Sequence, residues 1–184
     1  METSTSTEWR YWRCGLNTPA ESFGIYRTIV ETWRGRIPDG EQLPRRSAFD
    51  FPDFRAWWGR VAIARIERAP FDVRFTLWGT TLRDWWGVDY TGRRIGEAAK
   101  NPEAWTLTEG LYFAEMTQEP FIGVAAGNLS QHDRSYISVI SLDLPVGNEN
   151  GVSHVFALHL AVRDGQGPMQ IMPDCPMQPI RQGV

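Results

Sequence analysis

The side chains able to do chemistry are few and scattered along the sequence. Three histidines, His132, His154 and His159, and two cysteines, Cys14 and Cys175, are spread over 184 residues. His154 and His159 fall in one apolar run, an odd number of positions apart. On a strand they point to opposite faces and cannot act as a pair. His159 stands between Leu158 and Leu160, with Ala157 and Ala161 on its own face. An imidazole among small residues is open to two readings: a hydrogen-bonded core histidine, or a contact to a ligand in a cavity. It is also the one weak candidate for an acid or base. His132 lies in Ser130-Gln131-His132-Asp133, read as a solvent-exposed turn.

Other chemistries lack their patterns. Cys14 and Cys175 sit near opposite ends and form neither a metal spacing nor a redox pair in sequence. No His, Cys, Asp or Glu cluster has ligand spacing. There is no Gly-x-Ser-x-Gly elbow and no Gly-rich phosphate loop. Asp84, Asp89 and Glu97 are near enough to suggest paired carboxylates, but their surroundings read as caps and turns.

These residues need elements to position them, and the clearest lie in Phe71–Glu97. Val73, Phe75 and Leu77 alternate with Arg74, Thr76 and Trp78, the period-two mark of a strand. Gly79 breaks it, and Thr80 or Thr81 can cap a short helix. Leu82, Trp85 and Trp86 give that helix an apolar side, and Gly87 stops it. Upstream, Thr18-Pro19-Ala20-Glu21 is a capping box opening a helix. Its stripe of Phe23, Tyr26, Val30, Trp33 and Ile37 is narrow, as in paired helices. A second helix is expected from Pro52, with Phe54, Trp57, Trp58, Val61, Ala62 and Ile66 on its apolar face. Pro70 closes it and admits the central strand at Phe71.

Downstream, Asn101-Pro102-Glu103 starts a helix running to about Gln118, with Trp105, Leu111, Tyr112 and Met116 inward. Three strands follow: Phe121–Leu129, Arg134–Leu144 and Val152–Arg163. The turn before the last ends in Asn150-Gly151, and together they read as an antiparallel meander. Residues 1–17 read as a flexible lead-in, 18–163 as one domain and 164–184 as an extended tail.

The run Arg74-Phe75-Thr76-Leu77-Trp78-Gly79-Thr80, then Trp86-Gly87 and Thr91-Gly92-Arg93, resembles a bacterial family of single-domain PAS-like proteins. Leu43-Pro44-x-Arg46 resembles that family's element before its second helix. The resemblance covers roughly residues 22–163 by motif order. It implies a PAS-like antiparallel sheet with helices on one face, a sensing or regulatory role, and no enzymatic activity. With the N-terminal helices as cover on the other face, the expected class is α+β. PAS-like proteins can carry chromophores. Haem-binding members use a His on the helix before the meander, and photosensors a Cys in the helical middle; both positions are empty here, so no cofactor is expected.

Composition bounds the remaining function classes. A net charge of −3 gives no pull toward nucleic acid or anionic membrane. Trp9-Arg10-Tyr11-Trp12-Arg13 interleaves base and aromatic, but nothing else supports nucleic-acid binding. No apolar run approaches transmembrane length, no signal peptide is visible, and a cytoplasmic location is expected. Nine tryptophans must find cover and partners for their indole N–H groups.

The expectation is therefore a PAS-like sensory or regulatory domain binding a small ligand or a partner protein and signalling in trans. Its ligand pocket would lie between the sheet and the helices of residues 80–118, lined by Trp78, Trp85, Tyr112, Met116 and His159. A homodimer is expected through the N-terminal helix. The alternatives are an interaction module whose core is filled by its own side chains, and a small-molecule enzyme on a curved sheet.

Overall fold

The computed structural model describes residues 9–163 and 165–181. The aromatic lead-in is a strand, not a loose segment: β1 (Arg10–Cys14) pairs antiparallel with β4 (Ile122–Leu129), Tyr11 opposite Ala125. Residues 1–8 of the expected lead-in lie outside the described residues. The expected first helix is broken in two. Ala20–Tyr26 is a 3-10 segment kinked at Gly24, with no side-chain cap from Thr18, and α1 (Arg27–Gly35) continues it.

The expected second helix is the largest correction. Only Phe51–Trp57 turns, as a 3-10 segment held by an Asp50–Asp53 capping box. Gly59 then takes φ +78, a conformation that ends a helix. Val61–Arg68 is a strand, β2. The spacing of Phe54, Trp58, Val61 and Ala62 matches a helix face, yet Val61, Ala62, Ile63 and Ala64 are all buried. Such a run belongs to an interior strand covered on both faces. β2 forms a hairpin with β3 (Phe71–Trp78).

After β3, Gly79 precedes α2 (Thr80–Trp86) as its N-cap, with no cap bond from either threonine; Gly87 ends it at φ +73. Then α3 (Pro102–Gln118) opens where Asn101 Oδ1 accepts from the Ala104 amide at 3.1 Å. Trp105, Tyr112 and Met116 are buried on it, whereas Leu111 is exposed and Phe113 takes an inward place. The meander follows as read: β4, β5 (Arg134–Asn148) and β6 (Gly151–Val162). β5 does not stop at Pro145 but pairs through it.

The seven strands among the described residues form one antiparallel sheet in the order β3-β2-β6-β5-β4-β1-β7, β7 being Gln178–Pro179. This is an α+β architecture. β3, expected at the centre, lies at an edge. Its outer side is closed by the loop after α2, where the Phe75 amide donates to Arg93 O at 3.0 Å and Ile95 to Val73 O at 2.9 Å.

Helices cover both faces. α2 and α3 lie on the face carrying Ser141, Asp143, Ala157 and His159. The N-terminal segments cover the other, where Phe156 packs edge-on against Phe49 and Phe54. Phe23, Tyr26, Val30 and Trp33 are each 0% exposed. Tyr26 stacks on Trp57 at 4.8 Å, and the Trp33 indole donates to Pro145 O at 2.8 Å. The narrow stripe is consumed within the chain, so the surface on which a homodimer was expected is not free. The C-terminal stretch is not a bare tail either: α4 (Pro168–Ile171), Met172 and Cys175 pack in, the last two buried. No helix among the described residues is long and apolar enough to cross a membrane.

Candidate functional site

The alternation of β5 and β6 puts four residues on the face beneath α3. Ser141 stands opposite His159, and Asp143 opposite Ala157. Above them α3 lowers Trp105, Glu109 and Phe113, spaced by four and therefore on one side of the helix. Phe75 and Trp78 from β3, Trp86 from α2, Tyr90 and Trp9 complete the wall of an enclosed cavity of about 30 Å³. That is room for about two water-sized groups. A larger, open, apolar groove of about 550 Å³ lies on the outer side of α3, between Phe71, Ile95, Leu107 and Leu111.

Asp143 is the chemical centre. It is 2% exposed. Its Oδ2 accepts from the Tyr112 hydroxyl at 2.6 Å and from Ser141 Oγ at 3.3 Å. Its Oδ1 is buried with no partner. Burial pushes its pKa up to about 7, and the two donors hold it from rising further. Tyr112 reaches it only because position 123 is glycine: a Cβ there would fall 1.8 Å from the Tyr112 oxygen.

Glu109 is the second carboxyl of the cavity. Part of the residue remains exposed, but its carboxyl end is enclosed. Burial first, then the nearby Asp143 charge, raise its pKa to about 8, against a hydrogen bond from Trp105. Two carboxyls that resist ionisation near neutrality, side by side in an aromatic box, can hold or exchange a proton, or accept hydrogen bonds from a donor-rich group.

The remaining polar atoms frame them. Trp78 Nε1 is a buried donor without a partner. His159 is buried, its Nδ1–H aimed at the Arg60 carbonyl at 3.3 Å, which leaves Nε2 as an acceptor. Burial lowers its pKa to about 4, so the ring is neutral at pH 7. Its ring stands 5.4 Å from Trp86 and 6.2 Å from Trp78. His132 is half-buried rather than exposed. Its Nε2 lies 2.8 Å from the Tyr90 hydroxyl, and burial lowers its pKa to about 4.

Of the five pocket residues expected from sequence, Trp78 and His159 line the cavity. Tyr112 joins through its hydroxyl on Asp143. Met116 is fully buried but packs toward Gly123 behind Tyr112, outside the wall. Trp85 is half-buried on the core's margin, and Trp86 takes the place expected of it. Sequence reasoning missed Glu109, Ser141 and Asp143. The available signal was a carboxylate within the apolar run Val139–Val146, where only a buried or paired acid fits. Asp89 and Glu97 serve turns, through the amides of Thr91 at 2.8 Å and Arg94 at 2.9 Å. No group of three or more metal-capable side chains occurs among the described residues. No protein-family model, curated protein or solved structure matches the chain.

Proposed function

We propose that the protein is a PAS-like sensory or regulatory domain that takes a small donor-rich group, an ammonium foremost, into the cavity beneath α3 and signals in trans to a partner protein. One observation carries this reading. Asp143 Oδ1 and Trp78 Nε1 are buried, unpartnered polar atoms in the wall of a single cavity. A buried polar atom left unmet costs about 1–3 kcal/mol. A ligand group that meets Asp143 recovers part of that cost. Two carboxyls among Trp78, Trp86, Tyr90 and Trp105 suit a cation, which both carboxylate charge and aromatic faces attract. Binding of one cation would favour ionisation of one carboxyl of the pair and release its proton.

The order of elements supports the PAS-like part: a leading hairpin, helices across one face, and a closing three-strand meander. α3 offers a route outward, since Trp105 and Glu109 face the cavity while Leu107 and Leu111 are exposed. We place the domain in the cytoplasm, where two unbridged thiols persist.

The test is thermal melting of the full chain with ammonium or methylammonium chloride against sodium chloride at equal ionic strength. A rise in midpoint that disappears in Asp143→Asn supports the reading. No rise with either cation removes it.

A second reading, a small-molecule enzyme on a curved sheet, is favoured by the same two carboxyls. An acid that stays protonated near pH 7 can donate a proton in a reaction. It requires turnover that Glu109→Gln abolishes, whereas the sensor requires stabilisation without turnover.

A further inference from the structure

Cys14 and Cys175 are 161 positions apart, and their Sγ atoms stand 3.3 Å from each other. Both are free and buried. Two separate sets of contacts hold them there. Cys14 ends β1, where it pairs opposite Ile122 of β4. Cys175 lies between α4 and β7, fixed by its amide on Met172 O at 3.1 Å and by β7, whose Gln178 pairs with Arg13. Beyond β7, the Ile180 amide donates to Tyr11 O at 2.9 Å. The sulfurs thus meet within the fold, with no hinge to close.

An approach exists from outside. Cys14 forms part of the wall of an open cleft of about 710 Å³, with Arg13, Phe121, Pro176 and Gln178. The two thiols are also unequal. Either thiol can donate to the other sulfur, and the contact favours thiolate on one member of the pair, pulling Cys175 below the ordinary thiol value against burial. The same contact and burial push Cys14 the other way. A thiolate beside a protonated neighbour is the arrangement of an attacking and a resolving cysteine.

We infer that Cys14 and Cys175 are a peroxide-oxidisable pair that closes to a reversible intramolecular disulfide, fastening the C-terminal segment to the first strand. In the first step one thiol of the pair loses its proton and the thiolate attacks one oxygen of hydrogen peroxide. The O–O bond breaks, hydroxide leaves and takes up that proton to become water, and the attacking sulfur becomes a sulfenic acid. The second sulfur then attacks it, the S–O bond breaks, and the hydroxyl leaves with the second thiol's proton as a second water. Two thiols are oxidised and one peroxide is reduced. An external dithiol reverses the change by exchange. The closed ring spans both termini and restricts the unfolded chain, so the bridged form should melt at higher temperature.

The experiment uses the full chain, reduced and desalted, then treated with a modest excess of hydrogen peroxide. The expected result is loss of both titratable thiols in denaturant and a peptide map linking Cys14 to Cys175. The midpoint should rise by about 5–15 °C, and dithiothreitol should restore both thiols. In Cys14→Ser, Cys175 should be trapped by dimedone as its sulfenic acid. Two thiols still titratable after treatment would overturn the inference. So would sulfinic or sulfonic acids without the linked peptide, or a bridge found only between chains.

Discussion

Tyr112 donates its phenolic proton to Asp143 across 2.6 Å, over the bare backbone of Gly123. Helix α3 and strand β5 are thereby joined by one short hydrogen bond that a third element, β4, permits by having no side chain. Gly123→Ala should drive the Tyr112 ring aside and leave Asp143 with Ser141 alone. The expected loss is about 2–4 kcal/mol in urea unfolding. Tyr112→Phe keeps the ring and removes only the donor, for about 1–3 kcal/mol. Wild-type stability in both variants would show that the bond carries no weight.

Stability should depend on pH in two regimes. Asp143 and Glu109 are raised from 3.8 and 4.5 to about 7 and about 8 in the fold. The folded state therefore binds more protons than the unfolded chain over that range, and these groups lower stability as pH rises through it. His132 and His159 are lowered from 6.5 to about 4, so they lower stability as pH falls below 6.5. Between about pH 4.5 and 6.5 the two slopes oppose each other and the four groups leave stability nearly level. Above 6.5 the histidines fall silent and stability drops toward pH 8, by about 1.4 kcal/mol per pH unit for each proton. Denaturant titrations from pH 5 to 9 read this directly, and Asp143→Asn should flatten the alkaline limb. A limb of unchanged steepness in that variant would contradict the assignment.

Gly79 has an ordinary φ of −61, so its glycine is required by contact rather than by conformation. A Cβ there would lie 2.3 Å from the Gly59 carbonyl oxygen, at the base of the β2–β3 hairpin. Gly79→Ala should cost about 1–3 kcal/mol. Gly35→Ala, with open space around it, should be neutral or slightly stabilising. Equal melting of the two variants would deny the contact its role.

Trp33 fills the core beneath β5 and satisfies Pro145 O. Trp33→Ala should destabilise the protein by about 3–5 kcal/mol without altering its size in light scattering. A change from dimer to monomer in that variant would return the stripe to an intermolecular role.

The sheet's second half was legible because its strands follow one another with short turns, so local alternation and Asn150-Gly151 were enough. β2 was not, since Val61–Ala64 is buried on both faces and shows no alternation; the spacing by four of Phe54, Trp58 and Ala62 then pulled the reading toward a helix. Gly59 was the one local warning. β1 was hidden for another reason. Its five residues gain their place by pairing with β4, more than a hundred positions away, and no short window contains that information. The same holds for the site. Trp78 and His159 stood out by type and surroundings. Glu109 and Asp143 are commonplace residues, and only the packing of α3 over β5 makes them a pair. The two cysteines likewise become neighbours only when both ends of the chain reach one sheet edge.

The treatment of that sheet's margins has a further consequence for how copies of this protein can meet. β3 has its outer hydrogen bonds taken by residues 92–95 of its own chain, and on the other side the last strand, β7, is only two residues long. Neither margin offers a ladder long enough to template a strand from a neighbour. Growth by strand addition, the route to fibres and domain-swapped sheets, is thus disfavoured at both ends. Self-association, where it occurs, is left to surfaces other than the sheet margins.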